Sequence, residues 1–81
     1  MRIRRTSRFD RSYSKSSKEI QQTFDKQALL LLQNLRHPSL RAKKYNEAGN
    51  KWQARVTSDW RFYFTIEGDT YVLQDIIRHP K

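Results

Sequence analysis

Hydrophobic and polar positions alternate most regularly between Trp52 and His79. In the first run of this stretch Trp52, Ala54 and Val56 share one parity, and Gln53, Arg55 and Thr57 the other. In the next run Trp60, Phe62, Phe64 and Ile66 alternate with Arg61, Tyr63 and Thr65. Successive side chains of a strand point to opposite faces, so each run has an apolar side and a side bearing an arginine. A third run, Tyr71 to Ile77, follows the turn signal Glu67-Gly68-Asp69. Three β-rich runs and two turns predict an antiparallel meander. Its register follows from requiring the apolar sides to meet. A two-residue turn at Ser58-Asp59 would set Val56 opposite Arg61 and mix the faces. A three-residue connection, Thr57 to Asp59, pairs Val56 with Trp60, Ala54 with Phe62, and Arg55 with Arg61. A slip by one residue would invert a whole strand, so the second register is expected. It sets two like charges opposite one another, which is unfavourable unless an anion lies between them.

Upstream, the pattern changes. Arg2 to Phe9 is expected to form a first strand anchored by Ile3 and Phe9, with Asp10 capping a short helix that runs through Tyr13. Ser16-Ser17-Lys18-Glu19 has the form of a capping box and opens a longer helix. Ile20, Phe24, Ala28, Leu31, Leu32 and Leu35 recur there at helical spacing, with Gln22, Asp25, Lys26 and Gln33 opposite. The run Leu29 to Leu32 is wider than one stripe, which implies deep burial or a surface shared with a partner. Pro38 is expected to end the helix, and Pro38 to Lys51 reads as a loop. The last run is apolar on both sides apart from Gln74 and Asp75, as in a central strand that also pairs with the first. The expected fold is α+β: one domain over residues 1–81, with an antiparallel sheet, two N-terminal helices on one face (order βααβββ), and the other face open, concave and basic.

Composition adds a partner class. A chain of 81 residues buries only about 60% of its unfolded surface, so the core is thin. It has no cysteine, which fits a cytoplasmic protein, and neither a bilayer-length apolar stretch nor a signal peptide is present. The 17 Lys and Arg against 8 Asp and Glu give a net charge of +9, which favours polyanions: nucleic acid, an anionic membrane or an acidic protein. Solvated surface charge would give the same total, so the arrangement of the basic residues matters more than their sum. Arg41, Lys43, Lys44 and Lys51 lie close to the arginine-bearing strands and would extend a phosphate-binding surface.

Candidate chemistry is narrow. There is no glycine-rich phosphate loop, nucleophile elbow or paired-histidine metal motif, and the acidic residues are scattered, so no metal or cofactor is called for. What remains is phosphate chemistry in which an RNA 2′-hydroxyl attacks the adjacent phosphate. That reaction needs proton transfer and cations on the crowded phosphate. Arginine offers a planar fork for phosphate oxygens, and histidine titrates near neutrality. Arg55, Arg61 and His79 are the minimal catalytic set, with Tyr63 on the same face as Arg61 to stack on a base or donate a hydrogen bond. Trp52 and Trp60 are better assigned to the core.

Several segments carry a family resemblance: His37-Pro-Ser-Leu-Arg-Ala-Lys-Lys44, Trp52 through Ile66, Gly68-Asp69, and Ile76-Ile-Arg-His79. The chain resembles the RelE/ParE superfamily of bacterial type II toxins over nearly its whole length. The RelE branch cleaves mRNA in the ribosomal A site without metal. The resemblance implies that Arg61 stabilises the scissile phosphate. It also implies that Arg55 fills a basic position of the preceding strand and that His79 matches a histidine after the last strand. Gln53 stands where RelE has a second catalytic lysine, and the C-terminal tyrosine used by many of these toxins has no counterpart. The implied partners are an acidic cognate antitoxin that covers the basic face, the ribosome and mRNA, and operator DNA through the antitoxin; no membrane is implied. The leucine-rich helix would offer the antitoxin an apolar groove. A ParE-like DNA gyrase inhibitor, or a catalytically degenerate member that binds only antitoxin, are the alternatives.

Overall fold

The computed structural model describes residues 1–46 and 49–79, with backbone alone at Asn46. Element order is β1 (Arg2–Arg5), α1 (Ser7–Lys15), α2 (Lys18–Gln33), a 3-10 turn (Pro38–Leu40), β2 (Lys43–Asn46), β3 (Lys51–Arg55), β4 (Trp60–Glu67) and β5 (Thr70–Arg78). One five-stranded sheet runs in the order β1-β5-β4-β3-β2. The α+β expectation holds, and β5 is flanked by β4 and β1 as its two-sided apolar pattern implied. The sheet is mostly antiparallel, with β1 parallel to β5.

The meander has the expected register. Ala54 lies opposite Phe62 and Arg55 opposite Arg61, and the Val56 amide donates to the Trp60 carbonyl at 2.9 Å. The physical reason is burial. Ala54, Val56, Phe62 and Phe64 are all at most 4% exposed on the side that meets the helices, so any slip would exchange them for arginine and tyrosine. Phe9 and Phe24 bring the two helices onto that face, with ring centroids 5.1 Å apart. Phe24 then meets Phe62 edge-on at 5.1 Å. Trp52 and Trp60 pack against this core, as expected. At the β4–β5 turn Gly68 has φ +61, the left-handed region that a tight hairpin requires.

Local chemistry sets several boundaries differently from the sequence expectation. The first strand stops at Arg5 because Thr6 caps α1, its hydroxyl accepting from the Phe9 amide at 3.1 Å. Phe9 still anchors the N-terminal segment, from a helix rather than a strand, and is fully buried. Asp10 sits in the first turn of α1 instead of capping it, and accepts from Arg5 at 2.6 Å. The cap of α2 is Ser17, which accepts from the Ile20 amide at 3.2 Å, while Ser16 closes α1. Helix α2 ends at Gln33, before Pro38, which instead opens the 3-10 turn. Leu31 is buried, but Leu29 is 61% and Leu32 39% exposed, so the wide apolar run is not all core. The expected loop Pro38–Lys51 contains β2, a polar edge strand. Charge on an edge blunts unwanted pairing and also hides the strand from a hydrophobic pattern. Residues 47 and 48 of that expected loop lie outside the described residues.

Candidate functional site

Cross-strand pairing arranges the face opposite the helices in rows. One row is Arg55–Arg61–Ile77, and the next is Lys43–Gln53–Tyr63–Asp75. A third is Lys51–Thr65–Val72–Arg4, and Arg2, Thr70 and Glu67 close the far end. Paired residues share a face, so Arg2, Arg4, Lys43, Lys51, Arg55 and Arg61 outnumber Glu67 and Asp75 on one surface. Six of the nine residues singled out from the sequence therefore meet on it: Lys43, Lys51, Gln53, Arg55, Arg61 and Tyr63. Lys44 does not, because it pairs with Trp52, whose ring stacks on Phe64 on the helix side. Arg41 is exposed at the end of the 3-10 turn, before β2 begins, with φ 45.

The two central arginines are held in different ways. Arg61 Nη1 donates to the carbonyls of Thr57 (2.6 Å), Ser58 (3.1 Å) and Trp60 (3.1 Å), so its guanidinium is tied over the β3–β4 turn. Arg55 Nε is buried and finds no hydrogen-bond partner among the described residues. An unsatisfied buried donor is destabilising, and Arg61 directly opposite adds a like charge that a bound anion would offset. The Arg55 carbonyl accepts from Gln27 Nε2 at 2.7 Å, and the same nitrogen reaches the Ser39 carbonyl at 3.1 Å. A single buried amide of α2 thus pins the end of β3 where Arg55 projects. The third predicted residue, His79, is exposed. Its backbone amide donates to the Asp59 carbonyl at 2.6 Å, which docks the end of β5 on the turn that Arg61 grips. The arginine pair and the histidine's backbone therefore converge on one hairpin turn.

One hollow of this face lies beside the arginine pair rather than on it. A space of about 440 Å³ opens one row away, with Tyr45, Lys51, Tyr63, Gln74, Asp75 and Arg8 among its walls. Lys51 and Tyr63 belong to the predicted set; the others were missed. Tyr45 meets Tyr63 edge-on at 5.7 Å. Arg8 reaches from α1 to Asp75 at 3.2 Å. Burial above all, with the neighbouring Tyr45 and Asp75, raises the Tyr63 phenol above its ordinary value of 10.0, against an opposing pull from Arg61. The signal for Asp75 was in the sequence, since Gln74-Asp75 interrupts an otherwise apolar strand. What could not be read was the irregularity between Tyr63 and Phe64, which leaves Gln74 outside the pairing and re-aims the adjoining side chains. Among the described residues no three His, Asp or Glu side chains gather as a metal ligand set.

With this geometry in hand, comparison with solved structures decides the fold. The YoeB/ParE toxin from Agrobacterium tumefaciens superposes with a TM-score of 0.82 at 12% identity, covering 99% of this chain and 100% of that one. The chain has the RelE/ParE toxin fold. The YoeB dimer from Staphylococcus aureus matches with a TM-score of 0.80 at 10% identity, over 99% of this chain and 98% of its own. A chain of the intact E. coli RelBE toxin-antitoxin complex matches with a TM-score of 0.77 at 10% identity, over 99% of this chain and 98% of its own. By sequence, no family model and no curated protein matches. Identities this low carry the RelE/ParE fold and leave the chemistry to be argued from this chain's own residues.

Proposed function

We propose that this chain is the toxin of a type II toxin–antitoxin pair, an endoribonuclease that cuts mRNA on the ribosome without a metal ion. The observation that carries the reading is Arg55 directly opposite Arg61 on the basic sheet face, beside the turn on which His79 docks. In the reaction the 2′-oxygen of the substrate attacks the adjacent phosphorus, and the bond from phosphorus to the 5′-oxygen breaks. The products are a 2′,3′-cyclic phosphate and a 5′-hydroxyl, which takes up the leaving-group proton. Arg55 and Arg61 hold the non-bridging oxygens, whose charge grows as the fifth bond forms. The carbonyls that grip Arg61 Nη1 fix its guanidinium plane, leaving its other N–H groups for the phosphate. His79 serves proton transfer, while Gln53, Tyr63, Lys43, Lys51 and Arg41 contact the flanking RNA; Lys44, on the helix side of the sheet, does not.

The same reading supplies the partners. A net charge of +9 suits an acidic antitoxin, and Leu29 and Leu32 give it an exposed apolar strip on α2. The antitoxin would carry the toxin to operator DNA, and the ribosome would present the mRNA in the cytoplasm. No described helix is long and apolar enough to cross a membrane.

Primer extension on cellular mRNA after induction tests this reading. Cuts within translated codons, lost in Arg61→Ala, are expected. A supercoiling defect with intact mRNA would replace the nuclease with a gyrase inhibitor. Uncut mRNA with normal supercoiling would leave a protein that only binds its antitoxin.

A further inference from the structure

The hollow beside the arginine pair has walls suited to a nucleobase. Tyr63 and Tyr45 form an aromatic corner at 5.7 Å, open to solvent through Tyr45, which is 49% exposed. Aromatic faces of this kind stack bases irrespective of sequence. Beside Tyr63 on the same wall stands Asp75, its cross-strand partner, with a side chain only 14% exposed. Its carboxylate is held from two sides: Oδ2 accepts from Arg8 Nε at 3.2 Å and Oδ1 from the Ile76 amide at 2.9 Å. Each carboxylate oxygen keeps a lone-pair site for another donor. Asp75 is one of two carboxylates, with Glu67, on a face that carries six Lys and Arg side chains, and it is the one that lines this hollow. It is well explained as an acceptor for base N–H groups. Guanine alone offers two parallel donors on one edge, the ring N–H and the neighbouring amino group, spaced to meet both oxygens of a carboxylate.

Placement supports the assignment. The Tyr63–Asp75 row lies two strand residues from the Arg55–Arg61 row, about 6.7 Å along the sheet. That is the reach of one nucleotide from a phosphate held by the arginines to its own base. Lys51, one row further on, lines the same hollow.

We propose that the hollow walled by Tyr45, Tyr63 and Asp75 is a base-reading subsite that selects guanine next to the phosphate held by Arg55 and Arg61. The assignment rests on the nuclease reading for its biological use but not for its test, which is equilibrium binding to the full chain without ribosome or cleavage. The probes are GMP, AMP, CMP and UMP, titrated at fixed ionic strength, with amide chemical shifts as the readout. GMP is expected to bind about tenfold more tightly than UMP and to move the amides of Tyr63 and Asp75. Asp75→Asn should bring GMP down to the level of the others, because the amide presents a donor where the base also donates. Tyr63→Leu should weaken all four by about tenfold without changing their order, and Tyr63→Phe should restore them. Arg61→Ala should weaken all four and keep the guanine preference. Equal affinity for the four nucleotides, an unchanged preference in Asp75→Asn, or shifts confined to residues outside the hollow would each overturn the assignment. A guanine preference in a protein that cuts no mRNA would refute the nuclease reading and leave this subsite standing.

Discussion

Replacing Arg55 by methionine should make the protein more stable and less able to hold an anion. The buried Nε of Arg55 has no partner among the described residues, and an unsatisfied buried donor costs about 1–3 kcal/mol. Its cross-strand neighbour is Arg61, and like charges directly opposite add roughly 0.2–1 kcal/mol of repulsion. Methionine keeps an unbranched apolar stem of similar length, so little packing is lost. After that small loss, a gain of about 1–2 kcal/mol is expected, which raises the melting temperature by roughly 4–16 °C for a domain of this size. Thermal and urea denaturation at low salt measure it. Added salt should shrink the repulsive share, because ions screen exposed charges over about 10 Å at 0.1 M. Sulfate should stabilise the wild type by about 1.4 kcal/mol at ten times its dissociation constant, and Arg55→Met by much less. A variant destabilised by more than 1 kcal/mol, or stabilised by sulfate as strongly as the wild type, would refute the view of Arg55 as a cation waiting for an anion.

The amide of Gln27 bridges α2 to the Ser39 and Arg55 carbonyls; Gln27→Leu should cost about 2 kcal/mol in urea denaturation by orphaning both acceptors. Tyr13, Tyr63 and Tyr71 all have phenol pKa values raised from 10.0, chiefly by burial. The unfolded chain then loses these protons first, so the stability they contribute is complete below pH 10 and is lost as pH climbs through the folded values. Phenolate absorbance should rise later in the folded than in the urea-unfolded chain, and Tyr63→Phe should flatten the alkaline decline in stability. For the proposed chemistry, His79→Ala should slow single-turnover cleavage by about a hundredfold while ribosome binding, measured by co-sedimentation, is unchanged.

The register of β3 and β4 was legible because it is overdetermined. Four apolar residues on two strands had to meet the helices, which left Arg55 and Arg61 no choice but to face one another. The central position of β5 was legible for the same reason, as its apolar residues need cover on both faces. Positions decided by single polar contacts were less legible. Ser16 and Ser17 are both competent caps for α2, and the pattern does not distinguish them; Ser17 takes the role and Ser16 closes α1. Strand β2 was hidden because an edge strand need not alternate; Lys44 and Tyr45 show no pattern that distinguishes them from a loop. The candidate site divided along the same line. Side chains carried by a regular ladder were placed on the correct face, whereas Arg8, Tyr45 and Asp75 came together through a helix, a misread loop and an irregular stretch of β5.

The central claim is that two guanidinium groups on neighbouring strands hold a phosphate while RNA is cut. Single-turnover cleavage of an mRNA on programmed ribosomes, followed with wild type and Arg61→Ala, tests it most directly. The wild type should release a fragment ending in a 2′,3′-cyclic phosphate, and Arg61→Ala should be slower by about 10²–10³-fold with its fold intact. Cleavage by folded Arg61→Ala at the wild-type rate, or no cleavage by the wild type, would contradict it.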